Sequence, residues 1–255
     1  MTFSDTRIFM KATIEIVKNG TFASRLPNLR LIDLSGNCLS SLASIESGWY
    51  GNKAVSHTLI LILNDNKIRN ITKYSTKGKG MLNSLGLKRN LISFIEEGAF
   101  EELHWLEHVD LSNNLIANLE PNTFVGIGKE IFNIMIDVSS NRLTCIKRGV
   151  FAQDLYINSL ILFNNSIEAI EEGSINSIHL DTLDIRNNML KDISILPWGS
   201  LDDIFYLYLG NNSIQNLTVK MFEGKKNLRI LDIGYNELGI IRKDLFTGLK
   251  TMLFL

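Results

Sequence analysis

Nine asparagines, Asn37, Asn66, Asn90, Asn114, Asn141, Asn165, Asn188, Asn212 and Asn236, recur at steps of 29, 24, 24, 27, 24, 23, 24 and 24 residues, each inside the same apolar frame. In the clearest unit Leu106, Val109 and Leu111 precede Asn114, and Ile116, Leu119 and Phe124 follow it. A period of this length over nine units marks a stacked repeat, in which no unit buries its apolar side alone and neighbours close a shared core. Ile14, Val17 and Phe22 match only the back of the frame, and Leu249, Met252 and Leu255 only its front. Residues 1–255 therefore read as a single array of about nine full repeats with partial repeats at both ends.

Within a unit, residues such as Leu207, Tyr208 and Leu209 alternate with period two, so a strand sends both leucines inward and Tyr208 outward. Stacked units then align these strands in one parallel sheet. A buried amide repeated at every turn is tolerable only if it is hydrogen-bonded. Asparagine both donates and accepts, so the nine are expected to form a structural ladder bonding the backbone of their own turn and of the next. Phe22, Phe100, Phe124, Phe151, Phe222 and Phe246 recur at the last inward position, with Ile175 substituting once, and predict an aromatic spine. Repeats two (residues 75–80, STKGKG) and seven (residues 195–199, ILPWG) lack that phenylalanine and are expected to have irregular backs. Residues 48–56, in the longest step, predict a protruding loop.

The pattern LxxLxLxxNxLxxLxxxxFxxL resembles the leucine-rich repeat family over nearly the whole chain, and its 24-residue length and phenylalanine resemble the animal extracellular type of Toll-like receptor and chaoptin-like ectodomains. The resemblance implies an α/β solenoid: a horseshoe with a concave parallel β-sheet and an irregular or short-helical convex side. It also implies cysteine-rich caps, which this sequence lacks, so the chain is expected to be a segment of a longer protein.

Charge narrows the function classes. The 26 basic and 27 acidic residues are mixed along the length, without the basic stripe that nucleic-acid binding needs. The longest apolar runs fall far short of the roughly 20 residues of a membrane span, so membrane attachment would need a segment outside this chain. The N-terminus does not read as a signal peptide. Cys38 and Cys145 lie in different repeats and read as isolated thiols. His57, His104, His108 and His179 do not converge with a nucleophile, and His104, Glu107 and His108 miss the HExxH zinc spacing. Neither catalysis, nor a cofactor, nor a metal is expected.

Asp33, Asp110, Asp137, Asp184 and Asp232 share one outward strand position, with structural roles expected. Ile60 and Ile62 form an outward pair attributed to edge packing. The candidate ligand-binding residues lie at outward positions of repeats six to eight: Ile161, Phe163, Asp184, Arg186, Tyr206 and Tyr208. Exposed aromatics beside an arginine are enriched in binding hot spots, although the same residues also cover a sheet by cross-strand packing. Sequons at Asn19, Asn70, Asn164, Asn211 and Asn216 would accept glycans in the secretory pathway; Asn70 and Asn216 are the better acceptors, because Asn164 and Asn211 immediately precede ladder asparagines. The first reading is a ligand-binding or adhesion segment of an extracellular or cell-surface receptor. Its partner would be a protein ligand, a neighbouring receptor or a second copy of the chain. The alternative is an intracellular, cytoplasmic scaffold or adaptor.

Overall fold

The computed structural model describes residues 6–18, 21, 29–45, 59–151, 155–175, 179–194, 196 and 198–254. Ten strands stack in chain order into one parallel sheet: β1 (Thr6–Ile8), β2 (Leu31–Asp33), β3 (Leu59–Ile62), β4 (Leu82–Gly86), β5 (His108–Asp110), β6 (Ile134–Asp137), β7 (Ile157–Ile161), β8 (Thr182–Asp184), β9 (Tyr206–Tyr208) and β10 (Ile230–Asp232). Ile32, Leu61, Leu85, Val109, Ile136, Leu160, Leu183, Leu207 and Leu231 stand in register across nine of them, and all are at 0% exposure. One row of side chains thus forms the floor of the core, because parallel stacking superimposes equivalent positions.

The first partial repeat holds more of the unit than its sequence suggests. β1 pairs with β2, placing Arg7 opposite Ile32 at the inward position and leaving Ile8 61% exposed. That reversed polarity hides the strand from a search for inward leucines. At the other end, Phe254 bridges Ile230, while Leu255 lies outside the described residues.

The nine asparagines repeat one bonding pattern. Each Oδ1 accepts from a backbone N–H of the preceding unit, such as Ile92 to Asn114 or Ile116 to Asn141, both at 3.0 Å. Each Nδ2 donates to one carbonyl in its own turn and one in the preceding unit, and shares a further contact at 3.1 to 3.5 Å with the carbonyl two residues back. For Asn114 the first two are Leu111 and Leu87, both at 3.0 Å. The same set holds at Asn37 and Asn66, at Asn90, Asn141 and Asn165, and at Asn188, Asn212 and Asn236. The inter-unit bonds reach backward, to the unit before and not the unit after. The strand has to turn just ahead of each asparagine, and that residue takes a left-handed φ: Gly36 (+70°), Asp65, Arg89, Asn113, Ser140, Asn164, Asn187, Asn211 and Tyr235, the non-glycines between +52° and +57°.

On the convex side Phe100, Phe124 and Phe151 stack with ring centroids 5.4 and 5.3 Å apart. Ile175 interrupts the row, and Trp198, Phe222 and Phe246 resume it at 5.8 and 5.7 Å. Trp198 fills the phenylalanine position of repeat seven and donates its indole N–H to the Ile193 carbonyl at 2.8 Å. In repeat two the position belongs to Thr76, buried, whose hydroxyl bonds the Ala99 carbonyl at 2.6 Å. Thr76 closes the short helix α1 (Lys73–Thr76), which Thr72 and Ser75 cap reciprocally. The back of repeat eight is a second short helix, α2 (Val219–Phe222). Elsewhere the convex side consists of turns, 3-10 turns at Leu42–Ser44 and Trp198–Leu201, and two-residue strands. Phe22, residues 48–56 and part of 195–199 lie outside the described residues.

Each buried group left unpaired costs about 1–3 kcal/mol. Asn114→Ala, which strands the Ile92 N–H while the Leu87 carbonyl keeps its bond from Asn90, is therefore expected to lose at least ~1 kcal/mol. Asn216→Ala in unglycosylated protein, at an exposed residue, should stay within about 0.5 kcal/mol. Urea unfolding followed by circular dichroism separates the two.

Candidate functional site

The concave face is built from the outward residues of the strands. Its aspartate row is structural at every step: Asp33, Asp110, Asp137, Asp184 and Asp232 each accept the backbone N–H two residues on, at 2.8 to 3.1 Å. Where β4 has Gly86 instead, Asn64 of the preceding unit reaches across and accepts from Lys88 N–H at 2.9 Å. A Cβ on Gly86 would stand 3.0 Å from that Asn64 oxygen, so the glycine makes room for the substitute.

Burial pushes the Asp137 carboxyl above its ordinary range, and the Asp110 carboxylate on β5 adds to the rise, against the Ser139 bonds that favour the charged form.

Four of the six residues singled out in repeats six to eight converge. The Arg186 guanidinium lies over two rings, 4.6 Å from the centroid of Tyr208 and 5.7 Å from that of Phe163. Asp184 holds it from below through two bonds, Nε to Oδ1 at 3.0 Å and a terminal nitrogen to Oδ2 at 2.6 Å, which also raise the arginine pKa. Asp184 is buried, whereas the Arg186 side chain remains 39% exposed. The result is a ring–guanidinium–ring platform spanning three units, fixed by a bidentate ion pair. Ile161 stands opposite Asp184 in the strand register, half-buried. Tyr206 makes no ring contact with Arg186 and pairs instead with Phe205, ring centroids 6.4 Å apart, whose ring carries Arg229 at 4.8 Å. Ile60 and Ile62 are half-buried on β3.

Phe205 and Arg229 escape a search confined to alternate strand positions, because they sit one residue before their strands. Tyr235 is a further omission. It is 91% exposed at φ +53°, a conformation that costs a bulky residue about 1–2 kcal/mol. Its place immediately before Asn236 is the available signal, since most of the other units carry a small or polar residue there.

Asn70 and Asn216 are exposed on the flank that follows the ladder turn. Asn164 and Asn211 take left-handed φ values, and their amides bond Ser140 Oγ at 3.0 Å and Asn187 Oδ1 at 2.7 Å. Asn19 and His57 lie outside the described residues. Cys38 and Cys145 are unpaired and half-buried, and burial pushes the Cys145 thiol up. His108 faces Ser84 Oγ at 3.3 Å, and His179 lies beside Asp203. Among the described residues no three His, Cys, Asp or Glu side chains cluster to hold a metal ion, and no helix is long and apolar enough to cross a membrane.

The stacked parallel strands, the asparagine ladder and the phenylalanine spine together define a leucine-rich repeat solenoid. The leucine rich repeat family matches residues 56–116, 80–129 and 204–255, and the chain belongs to that family. It is 24% identical to Toll-like receptor 3 of Homo sapiens over 93% of this chain and 30% of that one. With Podocan of Mus musculus the identity is 29%, over 89% of this chain and 36% of the relative, and with Keratocan of Gallus gallus 32%, over 80% and 55%. The chain thus spans between about a third and just over half of the relatives it matches. In fold it is similar to a chain of the octameric complex of Latrophilin 3, Unc5D and FLRT2 (LRR), with TM-score 0.73, 24% identity and coverage of 89% and 66%. It is similar also to the chain of the TLR13–ssRNA13 complex, with TM-score 0.61, 24% identity and coverage of 89% and 36%.

Two outcomes follow. Tyr235→Asn, which suits a left-handed turn, should raise stability by about 1 kcal/mol in chemical denaturation. For Asp137 a folded pKa above the unfolded one means that stability falls as pH rises between the two, with the whole penalty present above the folded value. Asp137→Asn should therefore raise the unfolding midpoint at pH 7, and the gain should vanish once the pH drops below about 3.9, where both states are protonated.

Proposed function

We propose that this chain is the ligand-binding or adhesion segment of an extracellular or cell-surface leucine-rich repeat protein, and that it engages a protein partner through the concave face of repeats six to eight. The observation that carries this reading is the Arg186 guanidinium clamped between Phe163 and Tyr208 on a fixed aspartate. Preorganised aromatic and arginine side chains lose little entropy on binding, which is why such residues dominate interface energetics. Toll-like receptor 3, Podocan and Keratocan support the extracellular setting, and the FLRT2 complex with Unc5D and Latrophilin 3 supports a protein partner. The TLR13 complex contains single-stranded RNA, but the concave face here disfavours a polyanion: Arg186 is neutralised by Asp184, and Asp33, Asp110, Asp137 and Asp232 add carboxylates. The unpaired thiols of Cys38 and Cys145 are what favours the intracellular scaffold.

One preparation tests both halves. Secretory expression of the segment between repeat caps, with intact mass measured before and after N-glycan removal, is expected to give glycans at Asn70 and Asn216. A protein retained in the cell or secreted bare would turn the reading toward the scaffold. Screened against cell-surface ectodomains, the Tyr206→Ser/Tyr208→Ser variant should lose at least about tenfold in affinity with its circular dichroism unchanged. Equal affinity in the folded variant would remove the concave platform from the account.

A further inference from the structure

A second surface lies on the flank where the chain enters its strands, away from Asn70 and Asn216. Nine residues before each ladder asparagine, successive units carry Trp105, Phe132, Tyr156 and His179. Phe132 and Tyr156 meet edge to face at 4.9 Å, Tyr156 and His179 stack at 5.9 Å, and Asp203 of the next unit continues the row beside His179. Trp105 and Phe132 stay 47% and 75% exposed, although the core lies one residue away at Leu106 on one side of the tryptophan.

The exposure of Phe132 is built in by the 27-residue step between Asn114 and Asn141, the longest step whose residues are all described. The added residues fold back as a turn with Gly126 at φ +82° and Gly128 at +60°, pressed so closely on the preceding unit that a Cβ on Gly126 would lie 2.4 Å from the Glu101 carbonyl oxygen. Gly128 and Glu130 N–H groups bond the Leu103 and His104 carbonyls, both at 3.0 Å. The turn is therefore pinned, and it holds Phe132 and Glu130 exposed on the unit that follows Trp105 and Glu107. Both glutamates are exposed, and neither has an ion-pair partner among the described residues. Lys129 is the one basic side chain of the insertion, and Asp181 and Asp203 extend the acidic character along the row.

Exposed ring faces next to unpaired carboxylates attract cations, by the ring quadrupole and by charge, and arginine satisfies both at once. We infer that this flank, centred on Trp105 and Phe132 with Glu107 and Glu130, is a second docking surface whose occupant is an arginine-bearing basic segment of a partner protein. It is separate from the concave platform, and either can be removed without the other.

The test uses a fluorescein-labelled nona-arginine peptide, with nona-glutamate as comparison, in fluorescence anisotropy at about 0.15 M salt. Trp105→Ser/Phe132→Ser and Glu107→Gln/Glu130→Gln should each weaken nona-arginine binding at least about tenfold. Tyr206→Ser/Tyr208→Ser should leave it unchanged, which keeps a failure here distinct from a failure of the concave reading. All four positions in the flank variants are exposed, so circular dichroism should match the parent. Failure of the parent to bind nona-arginine, or equal binding by both flank variants, would overturn the inference. So would a dimer of the parent in sedimentation velocity that Trp105→Ser/Phe132→Ser dissolves, since the occupant would then be a second copy.

Discussion

Every other feature of this molecule depends on how the asparagine ladder satisfies the backbone at the inner turn. A strand that stops after three residues leaves amides and carbonyls facing the core, where water cannot reach them, and there an unpaired group costs more than a paired one gains. One asparagine per unit meets several of these demands, and because its inter-unit bonds reach the unit before, each repeat closes the turn of its predecessor. The array is thereby tied along its axis by polar contacts as well as by the leucine floor and the aromatic spine. The cost is a left-handed residue at each step, which asparagine, aspartate, serine and glycine tolerate and Tyr235 tolerates poorly.

The ladder also makes the binding face possible. A fixed turn sets the register of each strand on its neighbour, so outward side chains repeat at the same height, and Phe163, Arg186 and Tyr208 come to lie in one stack although they are more than twenty residues apart in sequence. Asp184 shares the task that its counterparts perform along the row, capping the amide two residues on. Its second oxygen is free to take Arg186. A structural position has thus been extended to orient an exposed cation with no change in the fold.

Much of this was legible in the sequence, because a repeat announces the same physical demand many times. The nine ladder positions, the inward leucines and most of the spine follow from spacing alone. What escaped did so where chemistry departed from the pattern while geometry kept it. Trp198 and Thr76 fill spine positions without being phenylalanine, and β1 forms with Arg7 where leucine is expected. The flank row from Trp105 to His179 was hidden for a different reason: its residues lie outside the strand, and the register needed to align them crosses the insertion that presents Phe132. Proximity of this kind comes from stacking and not from local preference.

Hydrogen exchange at single-residue resolution on the intact array tests the ladder most directly. The amides of Ile92, Ile116, Leu143, Ile167, Leu190 and Ile214 lie outside the strands, and in each the only acceptor that orders it is the asparagine of the following unit. Protection at these amides as strong as in the central strands β5 to β8 is expected. Exchange at the rate of exposed turns would contradict the ladder's role, leaving the stack to its apolar core alone.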